Sequence, residues 1–139
     1  MIEAMPMGDT GRSAQFLDLQ PVRERLIRRF DLHAVAQELG GGPARYWMTP
    51  DGAGQIGFIT ALSQCFCASC NRVRLGVEGT LYLCLGQSAT FDFAPLLRDN
   101  VSDAELDAAI HQAIALKPEN HDFNAAPHQV MRFMSQTGG

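Results

Sequence analysis

Every cysteine of the chain, four in all, lies between Cys65 and Cys84. Cys67 and Cys70 form a C-x2-C pair, and thirteen residues later Cys84 completes C-x2-C-x13-C. Thiolates at such spacing are suited to zinc or to an iron–sulfur cluster. Three readings follow. The plainest is a set of reduced core cysteines beside a sheet. The second is a structural zinc site in which Cys65 joins Cys67, Cys70 and Cys84 as a four-thiolate set. The third is a [4Fe-4S] cluster held by Cys67, Cys70 and Cys84 alone, which leaves one iron open as a Lewis acid for a substrate nitrogen or oxygen. Arg72 and Arg74 stand next to these cysteines. Alternate residues of a strand point to one face, so both guanidinium groups suit a carboxylate or phosphate, against the simpler reading of two solvated strand residues.

These residues need an element that brings Cys84 back toward Cys70. Arg72-Val73-Arg74-Leu75 and Thr80-Leu81-Tyr82-Leu83 are strand-like runs around a turn at Glu78-Gly79, which predicts a hairpin. Paired strands lie about 4.8 Å apart, so the hairpin would close the ligand set.

The chain has 139 residues, a formal net charge of −4 and a pI near 5.4. That length suits one compact unit or a piece of a larger one. The acidic balance speaks against nucleic acid as a partner, because no basic excess exists to neutralise phosphates. No apolar run approaches the roughly 18 residues that span a bilayer, so no membrane partner is expected. The expected location is cytoplasmic. Reducing conditions there favour ligand cysteines over disulfides.

Along the chain, Met1–Met7 is apolar around Glu3, is interrupted by Pro6 and is followed by Gly8 and Gly11. It predicts a strand leading into a loop, with its pairing partners upstream, and Glu3 then reads as an edge carboxylate in solvent. Leu19, Val22, Leu26 and Phe30 recur at helical steps, with Asp18 as cap and Pro21 in the first turn. Most of Arg23, Arg25, Arg28 and Arg29 would form its solvated face. A second short helix over Leu32–Leu39 would stop at Gly40-Gly41-Gly42-Pro43. Ala44–Met48 and Gln55–Thr60 predict a hairpin around Pro50-Asp51-Gly52, with Trp47 in its packing. Phe91–Arg98 reads as one short amphipathic element. Ser102-Asp103-Ala104-Glu105 opens a helix as a capping box, with Leu106, Ile110, Ala113 and Ile114 on its apolar face and His111 at the surface. The aperiodic stretch from Pro118 to Gly139 predicts a loosely ordered terminus.

The run Ser63-Gln64-Cys65-Phe66-Cys67-Ala68-Ser69-Cys70-Asn71-Arg72-Val73-Arg74-Leu75, with Gly79-Thr80-Leu81 and Leu83-Cys84-Leu85 beyond it, resembles the C-terminal half of the molybdenum cofactor biosynthesis protein A family. These are the radical S-adenosylmethionine GTP 3′,8-cyclases. Ile2-Glu3-Ala4-Met5-Pro6 resembles their late barrel strand, Ile56-Gly57-Phe58-Ile59 the lead-in to the cluster, and Gly138-Gly139 their double-glycine terminus.

The resemblance implies an α/β fold: a C-terminal fragment of a partial (β/α) radical-SAM barrel, plus a β-hairpin-rich cluster-binding domain with flanking helices. Residues 1–43 would be the last strand and helices of the incomplete barrel, and residues 44–139 the iron–sulfur and GTP-binding domain with its tail. Cys67, Cys70 and Cys84 would ligate a [4Fe-4S] cluster whose unique iron binds the guanine end of GTP. Arg72 and Arg74 would contact GTP or its phosphates, Gly138 and Gly139 would reach back to assist the reaction, and Glu3 and Met5 would line the S-adenosylmethionine side. In the family a 5′-deoxyadenosyl radical abstracts hydrogen from the ribose C3′ of GTP, and the sugar radical attacks guanine C8. Implied partners are GTP, the missing N-terminal radical-SAM half and the next enzyme of cyclic pyranopterin monophosphate synthesis, with a homodimer for the full-length form. Two departures stand out. Cys65 falls where relatives usually carry another residue. No C-x3-C-x2-C occurs in these residues, so the second [4Fe-4S] cluster and S-adenosylmethionine would belong to the complete enzyme, and this chain alone is expected to be inactive.

Overall fold

The computed structural model describes residues 1–8, 15–36, 41–126 and 132–137. By its contacts the chain divides into two compact units, Met1–Met5 with Gly11–Asn71, and Pro6–Thr10 with Arg72–Gly139. Each contains one three-stranded antiparallel sheet, so the fold is mixed α/β. This division concerns contacts within the chain, whereas the expected boundary at residue 43 concerns the barrel of a longer protein.

In the first unit, α1 (Leu19–Phe30) begins at Asp18, whose carboxylate accepts the N–H of Gln20 at 2.8 Å. It ends at Asp31 in the left-handed region, φ 50°, with the cap N–H returned to Ile27. Cap and helix agree with the sequence. Over its described residues the second helix does not form: His33–Val35 is instead β1, paired antiparallel with β2 (Arg45–Met48), while residues 37–39 lie outside the described residues. A run of eight residues carries too little periodicity to separate helix from strand, and pairing with a distant strand decided it. The hairpin of β2 with β3 (Gln55–Phe58) forms as expected, Met48 opposite Gln55. Its loop is held by Asp51, which accepts from Thr49 Oγ1 and the N–H of Ala53.

The opening residues correct another expectation. Ile2 bridges in parallel to Ile59, just beyond β3, with Glu3 N–H to Ile59 O at 3.1 Å and Ile59 N–H to Met1 O at 2.9 Å. A partner therefore lies downstream, and Glu3 is 2% exposed rather than in solvent.

In the second unit, β4 (Arg74–Leu75) pairs with β5 (Thr80–Tyr82), and β5 with β6 (Thr90–Asp92). The expected hairpin is present, although β4 starts at Arg74 and not at Arg72. Gly79 has φ 90° and a Cβ there would lie 3.1 Å from the backbone of Ala94, so this turn requires glycine. The single amphipathic element expected over Phe91–Arg98 is two pieces, the end of β6 and α2 (Ala94–Arg98).

Helix α3 (Asp103–Ala115) begins with the expected capping box of Ser102 and Glu105. Its buried face is Ala109 and Ala113, packed with Leu81, Leu83 and Phe93. Ile110 and Ile114 are exposed, against expectation. Leu106, also expected on that face, packs against the same cluster. Among the described residues after α3, Phe123 and Thr137 are buried and a 3-10 turn covers Met134–Thr137, unlike a loosely ordered terminus; residues 127–131 lie outside the described residues. Gly138 and Gly139 lie outside the described residues. No helix among the described residues is long and apolar enough to cross a membrane.

Candidate metal centre

The segment that leads into the cysteines is pinned from several sides within the first unit. Glu3 accepts the N–H of Leu62 at 2.8 Å, the N–H of Ser63 at 3.0 Å, the hydroxyl of Ser63, and the N–H of Leu19 at 3.4 Å. Burial pushes its carboxyl upward, but the Ser63 side chain and backbone, with the Leu62 and Leu19 amides, outweigh it and hold the group below its ordinary value. Gln20 donates from Nε2 to Ser63 O at 3.3 Å, and Thr60 Oγ1 to Gln64 O at 3.3 Å. Arg23 donates to Gln64 Oε1 at 2.7 Å and lies 5.2 Å from the centre of the Trp47 ring. Of the four helix arginines, Arg25, Arg28 and Arg29 are solvated as expected, and Arg23 is not.

Past this anchor the chain makes one 3-10 turn, Cys67–Ser69, with Cys70 N–H donated to Cys67 O at 3.0 Å. Cys67 and Cys70 thus flank a single turn. The N–H of Cys67 points to Cys65 Sγ at 3.4 Å, so Cys65 takes part in the local geometry. Cys65 is exposed, while Cys67 and Cys70 are half-buried.

In the second unit, Arg74 pairs with Tyr82 and Leu75 with Leu81. The ladder ends at the pair of Arg74 and Tyr82, and Arg72 and Cys84 lie two residues beyond it on either strand. Arg72 is exposed; Arg74 and Cys84 are half-buried. The loop after Cys84 lies against the stretch that follows α3. A Cβ on Gly86 would come within 2.6 Å of His121 Cβ and 3.0 Å of the Phe123 ring. Asp122 N–H donates to Gly86 O at 3.1 Å, and Gln87 Nε2 to Asn120 O at 2.8 Å.

The donor chemistry of these residues fits a soft metal or cluster. None of the four cysteines is in a disulfide, and the three expected ligands are partly shielded from water. Beside Cys84, Arg132 Nε is buried with no acceptor among the described residues, a donor suited to an anionic group.

The sequence found the cysteines, Arg72 and Arg74, which the structure places on a turn and at a hairpin. It missed Lys117, Gly86 and Arg132. Lys117 just past a helix end reads as a partner of the helix dipole, and Arg132 sits in a stretch without periodicity. Glu3 proves to be an anchor of the cysteine lead-in, and Met5 is half-buried.

The chain matches the family model Molybdenum Cofactor Synthesis C over residues 1–123. It is 47% identical over 145 aligned positions to the GTP 3′,8-cyclase of Paracoccus denitrificans, covering 99% of this chain and 42% of that protein. To the GTP 3′,8-cyclase of Caulobacter vibrioides it is 48% identical over 143 positions, covering 100% of this chain and 41% of that protein. The corresponding protein of Brucella ovis is 44% identical over 145 positions. The chain therefore spans less than half the length of the relatives it matches.

Proposed function

The chain belongs to the Molybdenum Cofactor Synthesis C family, and from that premise we propose that it is the C-terminal, substrate-binding part of a GTP 3′,8-cyclase in molybdenum cofactor biosynthesis. The observation that carries this reading is the similarity over the whole of a chain whose C-x2-C lies on one turn and whose third cysteine follows a hairpin bearing Arg74. Residues 1–43 then complete a partial barrel of the longer protein, and residues 44–139 form the domain that holds cluster and substrate.

Cys67, Cys70 and Cys84 would hold a [4Fe-4S] cluster. When bound, such a cluster supplies an iron with an open position for a purine nitrogen or oxygen. The work left to this chain is binding and orientation. Arg72 and Arg74 present planar, permanently charged donors that grip phosphate oxygens in pairs. Glu3, Gln20 and Arg23 hold residues 62–64, so that the turn carrying Cys67 and Cys70 starts from a fixed point. Glu3 and Met5 lie on the strand proposed to face S-adenosylmethionine, and Gly138 and Gly139 form the tail proposed to assist the reaction. The radical-generating cysteine set belongs to the rest of the longer protein, so this chain alone binds without turning over.

A second reading draws on the N–H of Cys67 directed at Cys65 Sγ: a zinc-stabilised module using all four cysteines. Anaerobic reconstitution separates the two. A brown protein with about four irons per chain supports the cluster, and colourless protein with one zinc and no iron overturns it.

A further inference from the structure

Two cations of the second unit have no part in that reading, yet both close on the backbone of residues that do. Lys117, just beyond α3, donates from Nζ to Arg72 O at 3.0 Å and to Leu83 O at 2.8 Å. It thereby ties the chain entering β4 to the chain leaving β5, at the open end of the hairpin. Arg132 donates from Nη2 to Cys84 O at 3.4 Å and also to Gln87 O. Its guanidinium lies 4.8 Å from the centre of the Tyr82 ring, a cation–π contact.

Lys117, Asp122 and Arg132 donate to the carbonyls of Leu83, Cys84, Gly86 and Gln87, and Asn120 O accepts from the Gln87 side chain. Hydrogen bonds from charged donors are stronger than neutral ones, so Lys117 and Arg132 brace this loop beyond its own backbone contacts. A thiolate ligand and a phosphate-binding arginine both depend on backbone placement to within a fraction of an ångström.

We propose that Lys117 and Arg132 are positioning residues of the site, Lys117 setting Arg72 against the end of β5 and Arg132 setting the loop that carries Cys84. The inference rests on the reading of Arg72 and Cys84 given above. Groups that orient ligand residues are worth about ten- to hundredfold in affinity when removed.

The variants Lys117→Met and Arg132→Met keep the apolar stem and lose the charge. In the reconstituted chain, Lys117→Met should weaken GTP binding about tenfold or more at unchanged iron content. Lys117→Arg should recover most of that affinity. Arg132→Met should alter the electron paramagnetic resonance line shape of the reduced cluster and speed iron loss to a chelator about tenfold. In the metal-free chain, hydrogen exchange should accelerate over residues 84–87 and stay unchanged in α3. Wild-type GTP affinity and line shape in both variants would overturn the proposal, as would acceleration spread evenly over the whole chain. If the unmodified chain takes up neither iron nor GTP, the proposed function fails. The exchange pattern then decides the bracing by itself: local acceleration supports it, and no change overturns it.

Discussion

Glu3 and Ser63, sixty residues apart, meet through two hydrogen bonds, the carboxylate of Glu3 accepting both the backbone N–H and the hydroxyl of Ser63. The contact joins the opening residues of the chain to those just ahead of the cysteines. A buried carboxylate would be costly on its own, and here the donors of Leu19, Leu62 and Ser63 offset that cost.

Replacing Glu3 by alanine leaves those donors buried and unmet. Glu3→Ala should destabilise the chain by about 2–4 kcal/mol, measured by chemical denaturation, because each orphaned donor carries its own desolvation cost. A loss within experimental error of zero would show that water replaces the carboxylate at no cost.

The same group predicts a pH dependence. Because its folded-state carboxyl is held below the ordinary value of 4.5, Glu3 contributes stability that is complete above that value and is lost as pH falls through the lower, folded-state value. Glu105, held low by the Ser102 side chain and backbone, and Asp51, held low by Thr49 and Ala53, act with the same sign. Unfolding curves from neutral pH down to acid should therefore fall less steeply for Glu3→Gln than for the unmodified chain. Parallel curves would contradict the assignment.

Gly86 has no room for a side chain between His121 and Phe123. Gly86→Ala should cost about 1–3 kcal/mol by overpacking. It should also shift the loop of Cys84, seen as faster iron loss from the reconstituted chain. A stable variant with unchanged iron retention would mean that the loop tolerates displacement.

What the sequence revealed was what local chemistry decides. Pro50-Asp51-Gly52 and Gly79 marked both hairpins, Asp18 and Ser102 marked helix starts, and the cysteine spacing marked the candidate site. Long-range choices were not legible. β1 depends on pairing with β2, and the burial of Glu3 depends on donors from residues 19 to 63. On α3 the expected Leu106 and Ala113 do pack against the core, but Ile110 and Ile114 are exposed and Ala109, whose apolar signal is weak, was missed. Lys117 and Arg132 were invisible for a different reason. Their acceptors are backbone carbonyls, which every residue carries.

If Arg72 and Arg74 grip the phosphates, replacing them should remove affinity without removing the metal. Arg72→Ala and Arg74→Ala should each weaken GTP binding about ten- to hundredfold, the value of a charged, paired contact, while iron content stays at the level of the unmodified chain. Equal affinity in all three proteins would return both residues to the solvated strand reading.

A cluster on three thiolates leaves one iron for substrate, and Mössbauer spectroscopy of the iron-57-reconstituted chain, titrated with GTP, tests this together with Cys65→Ala and Cys84→Ala. A signal from one iron site should change saturably with GTP in the unmodified chain and in Cys65→Ala, and Cys84→Ala should hold no intact four-iron cluster. A cluster indifferent to GTP, or one lost with Cys65 and kept without Cys84, would contradict it.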